Sequence, residues 1–416
     1  MEIQAPKGTK DILPGSIPAW NYVERVFADI CRLFGFEEIR TPAFEQTELF
    51  ARGVGDTSDI VQKQMYTFDD LGGRSMTLRP EGTAGVVRAF IENKLYAAPQ
   101  PTKLWYEIPC FRYEKPQSGR LREFHQFGVE VYGPADMLAD AEVIALADTF
   151  LRRLGLTDFS LRINSIGCPE CRVKYRDALK GFFEPKFDEL CDTCKSRFET
   201  NPMRILDCKS SVCQELGKGA PVILDYICED CAAAFADLQK NLDALGIPYS
   251  VDPGIVRGLD YYTKTAFEFV SDAVGAQGTL CGGGRYDKLI EEIGGPDMPG
   301  VGFGLGIERL LLAIESAGVE IPAPEKAAAF IVSLGDGPKA AALALAAELR
   351  GRGIAVLLDD MGRGMKPQMK YADRSGARYT IIIGDDELAA GTVTLRNMET
   401  GEQERIPADS VADALK

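Results

Sequence analysis

The chain has 416 residues, 45% of them hydrophobic and 26% charged, a composition that excludes a disordered, collagen-like or disulfide-stapled small protein. No apolar run approaches the ~18 residues of a membrane span, and Met1–Thr9 lacks the apolar core of a signal peptide, so a cytoplasmic location with no membrane partner is expected. The net charge of −15 argues against nucleic acid as a whole-surface partner, and one histidine excludes any chemistry that needs two.

Ile17–Phe34 carries Trp20, Val23, Val26, Phe27 and Ile30 at helical spacing and stops at Gly35. Phe36–Arg40 predicts a short strand running into Pro42. Lys103–Glu114 and Arg122–Tyr132 predict two strands around the loop Lys115–Leu121. Period-two alternation puts Gln126, Gly128 and Glu130 on one face, and Arg112 and Glu114 on one face of the first strand. A sheet face carrying Arg, Glu, Gln and Glu is no core face; it is either a solvated surface or a site. Residues 168–245 are Cys-rich and mostly helical, and read as an insertion. Gly275–Gly306 is glycine-dense, and Val301–Leu312 predicts a strand feeding a helix with Arg309 in its first turn. Pro322-Ala323-Pro324 marks a linker. Beyond it, Phe330–Leu334, Ala340–Leu349, Ile354–Leu358, Lys366–Ser375 and Tyr379–Ile383 alternate as β-α-β-α-β, which predicts a small α/β domain with a largely parallel core.

Arg112, Arg120, Arg122, Arg257, Arg285 and Arg309 sit beside glycine, glutamate, aromatic or aliphatic residues. Arginine suits bidentate contact with phosphate and carboxylate, and glycine lets the backbone approach a ligand, so the set predicts a polyphosphate site. No P-loop is present, and no G-x-G-x-x-G follows a strand in a βαβ unit. What is left is a nucleotide held by arginines on an antiparallel sheet.

Several runs then resemble one family. They are Thr77-Leu78-Arg79-Pro80-Glu81-Gly82-Thr83, Phe111-Arg112-Tyr113-Glu114 through Gly119-Arg120, Phe124-His125-Gln126-Phe127, Arg257-Gly258-Leu259-Asp260-Tyr261-Tyr262 and Gly302-Phe303-Gly304-Leu305-Gly306-Ile307-Glu308-Arg309. The chain resembles the bacterial-type histidyl-tRNA synthetase family, among the class II aminoacyl-tRNA synthetases, over nearly its whole length. The resemblance implies an α+β architecture. A catalytic domain over 1–322, built on an antiparallel sheet and carrying motifs 1–3, is interrupted by the 168–245 insertion, and an anticodon-binding α/β domain covers 326–416. It implies activation of L-histidine by ATP, with Mg, to histidyl-adenylate, then transfer to tRNA(His) in protein biosynthesis, by a homodimer.

By the same resemblance Arg257, Arg112 and Arg309 are the catalytic cations. Arg112, Glu114 and Arg309 bind ATP, with Arg112 and Arg257 near the α-phosphate and Arg309 at the β/γ end. Glu81, Gly82, Thr83 and Gln126 hold the amino-acid end of histidine, and Glu130, Tyr261, Tyr262 and Tyr286 line its imidazole pocket. Gln117 and Arg120 stand where the bacterial branch reads the tRNA acceptor end, and Lys115 stands where arginine is more usual. Lys366, Lys370 and Arg374 form one basic helix face, which the resemblance assigns to the anticodon. His125 has the opposite strand parity to Gln126 and is expected to be structural.

Eight of the eleven cysteines form the pairs Cys168/Cys171, Cys191/Cys194, Cys208/Cys213 and Cys228/Cys231. Such spacing predicts structural zinc in two four-cysteine sites, groupable in three ways; buried reduced thiols are the other reading. Cys31, Cys110 and Cys281 are expected to pack. The alternative function is a catalytically inactive synthetase-like regulatory subunit of histidine biosynthesis.

Overall fold

The structure is a computed structural model and describes residues 3–55, 58–257, 259–271 and 278–415. Gly258 and Gly275, both part of the runs quoted above, lie outside the described residues. The chain divides into two compact units, 1–321 and 322–416.

The first unit opens with α1 (Ile17–Leu33), β1 (Glu37–Glu38), β2 (Phe44–Gln46), α2 (Thr47–Val54), β3 (Tyr66–Asp69), β4 (Ser75–Leu78) and α3 (Thr83–Glu92). The predicted hairpin follows as β5 (Thr102–Phe111) and β6 (Glu123–Tyr132), then α4 (Leu138–Arg153) and β7 (Ser160–Ser165). The Cys-rich segment holds α5 (Pro169–Phe183), α6 (Asp192–Thr200) and α7 (Ser211–Leu216), and leads into α8 (Glu229–Leu245). The unit closes with β8 (Tyr249–Val251), β9 (Thr263–Val270), β10 (Thr279–Arg285), α9 (Leu289–Glu292), β11 (Gly300–Gly306) and α10 (Ile307–Ser316).

Eight strands form one sheet in the order β1-β5-β6-β11-β10-β9-β7-β8. It is antiparallel except for the β1/β5 and β7/β8 pairs. Alternation gives its two faces opposite characters. Phe127, Val129, Phe303, Leu305, Cys281 and Phe267 turn to one side and are buried in a common core with α1, α4 and α10. The other side carries Tyr106, Gln126, Gly128 and Glu130, aligned across β11 with Gly306, Gly304 and Gly302, and across β10 and β9 with Gly282 and Glu268. A helix-covered apolar face beneath a polar, glycine-bare face leaves the second free to hold a ligand.

Two sequence expectations need correction, and one small sheet adds to them. The first hairpin strand ends at Phe111, not Glu114: the Arg112 amide makes a last cross-strand bond to the Arg122 carbonyl at 2.8 Å, and the Tyr113 amide then turns away to the Gln64 carbonyl at 2.7 Å. Arg112 and Glu114 therefore belong to the loop. The insertion packs as a narrower body than 168–245: Tyr175, Phe183, Met203 and Ile223 share a separate small core, whereas Leu238 and Leu242 of α8 are buried in the core under the main sheet. A three-stranded sheet, β2-β4-β3, was not anticipated, its strands being three or four residues long.

The second unit is built from β12 (Ala329–Ser333), α11 (Asp336–Gly351), β13 (Val356–Leu358), α12 (Met365–Ser375), α13 (Asp385–Ala390) and the strands β14 (Tyr379–Ile383), β15 (Thr392–Asn397) and β16 (Gln403–Pro407). β13, β12 and β14 are parallel, as the alternation predicts; β15 and β16 extend that core antiparallel. Ala329, Ile331, Ile381 and Leu349 form its core.

Candidate active site

A cleft with about 240 Å³ of internal space lies over the glycine-bare face. Of the expected site residues, Glu81, Thr83, Arg112, Glu114, Arg120, Gln126, Arg257, Tyr261, Tyr262 and Arg309 line it. They come from five places in the chain: the start of α3, the loop after β5, β6, the segment before β9, and α10.

Each cation is held by the backbone or a carboxylate. Arg112 donates through Nε to the Pro80 carbonyl at 2.8 Å and lies over the Phe124 ring, 5.1 Å from its centroid. Arg309 donates to the carbonyls of Gly119 at 3.1 Å and Thr279 at 3.2 Å. Arg257 is ion-paired with Glu268 and sits 5.4 Å from the Tyr262 ring centroid. Burial lowers the pKa of Arg309, and the nearby Arg120 and Arg112 lower it further. Burial also works against the charge on Arg257, but Tyr262 and Glu268 outweigh it and the net shift is upward. Arg309, Arg120 and Arg112, which repel one another in a partly dry cleft, make with Arg257 a site suited to a multiply charged anion.

Glu81 is buried and accepts the amides of Thr83 at 2.7 Å and Ala84 at 2.9 Å, at the start of α3. Its pKa is raised, with burial as the main cause and those amides opposing it. Gln126 crosses the face over Gly304, where an added Cβ would lie 2.1 Å from Nε2. Gly282 makes the same room for Arg257, whose Nη2 would be 2.6 Å from a Cβ there.

Four expected site residues do not line the cleft. Gly82 packs against the Tyr106 ring. Glu130 is fully buried beneath the lining, where it accepts the hydroxyls of Tyr106 at 3.0 Å and Tyr286. Tyr286 is buried with it, 5.5 Å ring to ring from Tyr261. Gln117 lies in an exposed turn, its amide on the Arg120 carbonyl at 3.0 Å, and faces a neighbouring cavity. Arg120 turns inward to pair with Glu114, at 3.0 Å from Nη2 to Oε1.

Two of the six singled-out arginines belong to the scaffold. Arg285 and Asp140 form a fully buried ion pair joining β10 to α4. Arg122 lies over the Tyr113 ring at 3.9 Å and donates to the Glu114 carbonyl. Sequence reasoning missed Tyr106, Thr279 and Glu268; the strand parity of Tyr106 opposite Gly128 was the one available signal. His125 turns away from Gln126, its Nδ1 3.0 Å from Glu308 and its ring edge-on to Trp20 at 4.9 Å. On α12, Lys366, Lys370 and Arg374 are all exposed.

The cysteine pairing is settled by proximity. Cys168, Cys171, Cys228 and Cys231 form one group and Cys191, Cys194, Cys208 and Cys213 another; either could hold a metal ion. Cys31, Cys110 and Cys281 are buried.

Glu130 supplies a pH prediction. Burial raises its pKa from 4.5 to about 8, against the Tyr286, Thr83 and Tyr106 hydroxyls that favour the anion. Between those values the folded chain holds a proton that the unfolded chain has released, so stability falls as pH rises through the interval. In histidine-free protein, the Glu130→Gln variant should gain on the wild type by a few kcal/mol across that interval. Urea midpoints at a series of pH values measure it; parallel pH profiles for the two proteins would contradict it.

A family model for histidyl-tRNA synthetase matches residues 8–170 and 219–310, and one for an anticodon binding domain matches 328–416. The chain belongs to the histidyl-tRNA synthetase family. Its folds are those of a class II catalytic domain and an anticodon-binding domain. The proteins named histidine–tRNA ligase from Caldanaerobacter subterraneus subsp. tengcongensis and from Clostridioides difficile are 56% and 53% identical to it. Both matches span the whole of this chain, with 100% and 99% of the relative covered. The crystal structure of apo S. aureus histidyl-tRNA synthetase is 44% identical, with TM-score 0.85 and 100% of each chain covered. A structure from Bacillus halodurans, described as an ATP phosphoribosyltransferase regulatory subunit/histidyl-tRNA synthetase, is less similar. It shows 26% identity and TM-score 0.66, over 92% of this chain and 99% of its own. The family model passes over 171–218, the helical body that carries the second cysteine group.

Proposed function

We propose that this cleft joins L-histidine and ATP into histidyl-adenylate and passes the histidyl group to the 3′ end of tRNA(His). Family membership carries the activity, ATP-dependent ligation of histidine to tRNA, and full-length relatives named as ligases weigh against the regulatory alternative. The observation that supports the site assignment is the meeting of Arg112, Arg257 and Arg309 with Glu81 and Gln126 on one sheet face.

The first step needs no general base, because the attacking group is already a carboxylate. Its oxygen bonds the α-phosphorus, the bond to the β-phosphate oxygen breaks, and pyrophosphate leaves. Arg112 and Arg257 hold the charge that develops on the α-phosphate, and Arg309 holds the β/γ end. Glu81, Thr83 and Gln126 take the α-ammonium. Tyr261 and Tyr262 face the imidazole, with Glu130 and Tyr286 fixing their layer from below. A pocket that hydrogen-bonds both ring nitrogens rejects leucine and phenylalanine, which leave its polar groups unpaired. Glu114, in the same cleft as Arg112 and Arg309 and paired there with Arg120, would offer hard oxygen donors to a magnesium ion bound with ATP, which would supply charge neutralisation on the phosphates. In the second step the terminal hydroxyl of the tRNA displaces AMP from the acyl carbon.

Gln117 and Arg120 are assigned to the acceptor end, and Lys366, Lys370 and Arg374 to the anticodon. A homodimer formed through the motif 1 region and a cytoplasmic location complete the reading. Among the described residues no helix is long and apolar enough to cross a membrane. The structural metal of the cysteine groups is taken up below.

The deciding experiment is amino-acid-dependent ATP–pyrophosphate exchange without tRNA across all twenty amino acids. Exchange with histidine alone is expected; no exchange from folded protein that still binds histidine would move the reading to the regulatory subunit. For the exposed Gln117, the Gln117→Ala variant should slow single-turnover transfer about tenfold, the worth of a lost hydrogen bond, while exchange stays near wild type. Equal losses in both steps would remove its tRNA role.

A further inference from the structure

We propose that each four-cysteine group binds one structural zinc ion, and that the ion at the base of the insertion fixes the backbone carrying Tyr261 and Tyr262. The second half rests on the site assignment made above; the first half does not.

Each group's four sulfurs lie within 4.8 Å of one another. A tetrahedral ion with Zn–S bonds near 2.3 Å sets its sulfurs ~3.8 Å apart. The separations Cys171–Cys231 at 3.9 Å, Cys191–Cys208 at 3.8 Å and Cys168–Cys171 at 3.4 Å cluster around that value. Sulfurs this close leave space for a single ion and not for an iron–sulfur cluster.

The backbone is shaped for thiolates. Cys168, Cys191 and Cys228 each stand in extended conformation just before α5, α6 and α8, and Cys171, Cys194 and Cys231 follow in the first turn. One local design thus occurs three times, with both sulfurs drawn to a helix N-terminus, where negative charge is stabilised. Amides point at sulfur as well: Cys228 to Cys171 at 3.0 Å, Cys191 to Cys213 at 3.4 Å and Ser210 to Cys208 at 3.5 Å. Gly167, at φ +68°, makes the turn into the first pair, and a Cβ there would lie 2.6 Å from Cβ of Cys171. Thiols that merely packed as small hydrophobes would not call for donors aimed at their sulfurs. Four sulfur donors in tetrahedral reach select zinc among abundant hard and borderline cations, and binding releases the thiol protons to solvent.

The first group closes the base of the insertion. It ties the chain just after β7 to the chain just before α8, where the helical body leaves and rejoins the main fold. Arg172, next to Cys171, donates through Nη1 to the carbonyls of Asp260 at 3.2 Å and Tyr262 at 3.1 Å. That segment supplies Tyr261 and Tyr262 to the cleft. The second group holds α6 to the turn after it; Arg197 of α6 and Arg204 of that turn reach Asp59 at 2.8 and 3.0 Å, beside the cleft residue Ile60.

The test starts with metal analysis of full-length protein purified without chelator. Two zinc ions per chain are expected. Zinc at or below about a tenth of an equivalent overturns the proposal, as does iron in its place. Cobalt replacement should give the thiolate-to-metal charge-transfer and intense d–d bands of a tetrahedral four-sulfur site; a weak octahedral spectrum overturns it. Cys171→Ser with Cys231→Ser should remove one equivalent, and Cys194→Ser with Cys208→Ser the other. Loss of both ions from either folded double variant refutes two separate sites. These readouts need no substrate, so they stand if the function assigned above fails. For the link to the cleft, Arg172→Met should keep both ions and raise the KM for histidine in pyrophosphate exchange several-fold, with kcat less affected. An unchanged KM with both ions retained refutes that link, and so does an equal fall in kcat, which points to general loosening.

Discussion

Replacing Arg257 by alanine is expected to lower histidine-dependent pyrophosphate exchange about a hundred- to a thousandfold, the usual loss when one fixed donor to a developing oxyanion is removed. The expectation follows from how the guanidinium is held. Burial disfavours its charge, yet Glu268 and the Tyr262 ring keep it charged, so it meets the α-phosphate as a cation already desolvated and oriented. The simple variant also takes its cation away from Glu268, which otherwise accepts the Thr279 hydroxyl at 3.1 Å. A half-buried carboxylate left without its cation destabilises the fold by itself. Adding Glu268→Gln to Arg257→Ala therefore should return the urea midpoint toward wild type and leave exchange as low as before. Recovery of exchange in the double variant, or near-normal exchange in the single one, would show that Arg257 is a scaffold residue. Arg257→Lys should recover only part of the rate, since lysine keeps the charge but loses the two-pronged fork.

Arg257 and Arg285 show how far sequence carries such an assignment. Both are arginines next to a glycine with a tyrosine within four residues, and both read as phosphate ligands. What separates them is a tertiary fact: Asp140, 145 residues from Arg285 in sequence, buries that guanidinium completely. Local residue patterns report which side chains suit a ligand, not which distant carboxylate reaches them first. Strand parity did better, because it is a local property: it put Gln126 and Glu130 on one face and His125 on the other, as the sheet has them. Parity could not say that Glu130 would be roofed over by Tyr106 and Tyr286, since that depends on register between strands. The cysteine pairs were legible as pairs, but their grouping awaited the return of the chain at Cys228. α8 was drawn into the insertion because helical periodicity marks an apolar face without saying which core receives it.

The glycine-bare face makes a sharper prediction than any charged residue. At Gly304 an added Cβ would meet Nε2 of Gln126 at 2.1 Å, and the next nearest atoms, also of Gln126, lie at 3.1 Å and beyond. The obstacle is the end of a flexible side chain, so Gly304→Ala should fold and turn Gln126 out of the cleft. Losing a charge-assisted hydrogen bond to the α-ammonium costs about 1.5–3 kcal/mol, so the KM for histidine should rise about ten- to a hundredfold while that for ATP hardly moves. Because the added methyl acts only through Gln126, Gly304→Ala combined with Gln126→Ala should be no worse than Gln126→Ala alone. A further loss in the double variant would place the damage elsewhere on the sheet. Gly302, its neighbour on the same strand face, provides the contrast. There a Cβ would strike the backbone carbonyl of Val129 at 2.2 Å as well as the Glu130 carboxylate. Backbone cannot rotate aside, so Gly302→Ala should lower the urea midpoint before any KM can be read. Two alanines two residues apart should therefore fail in different ways, one in histidine binding and one in folding. If both fail in folding, Gln126 is not free to leave, and the face is packed scaffold rather than the wall of a substrate site.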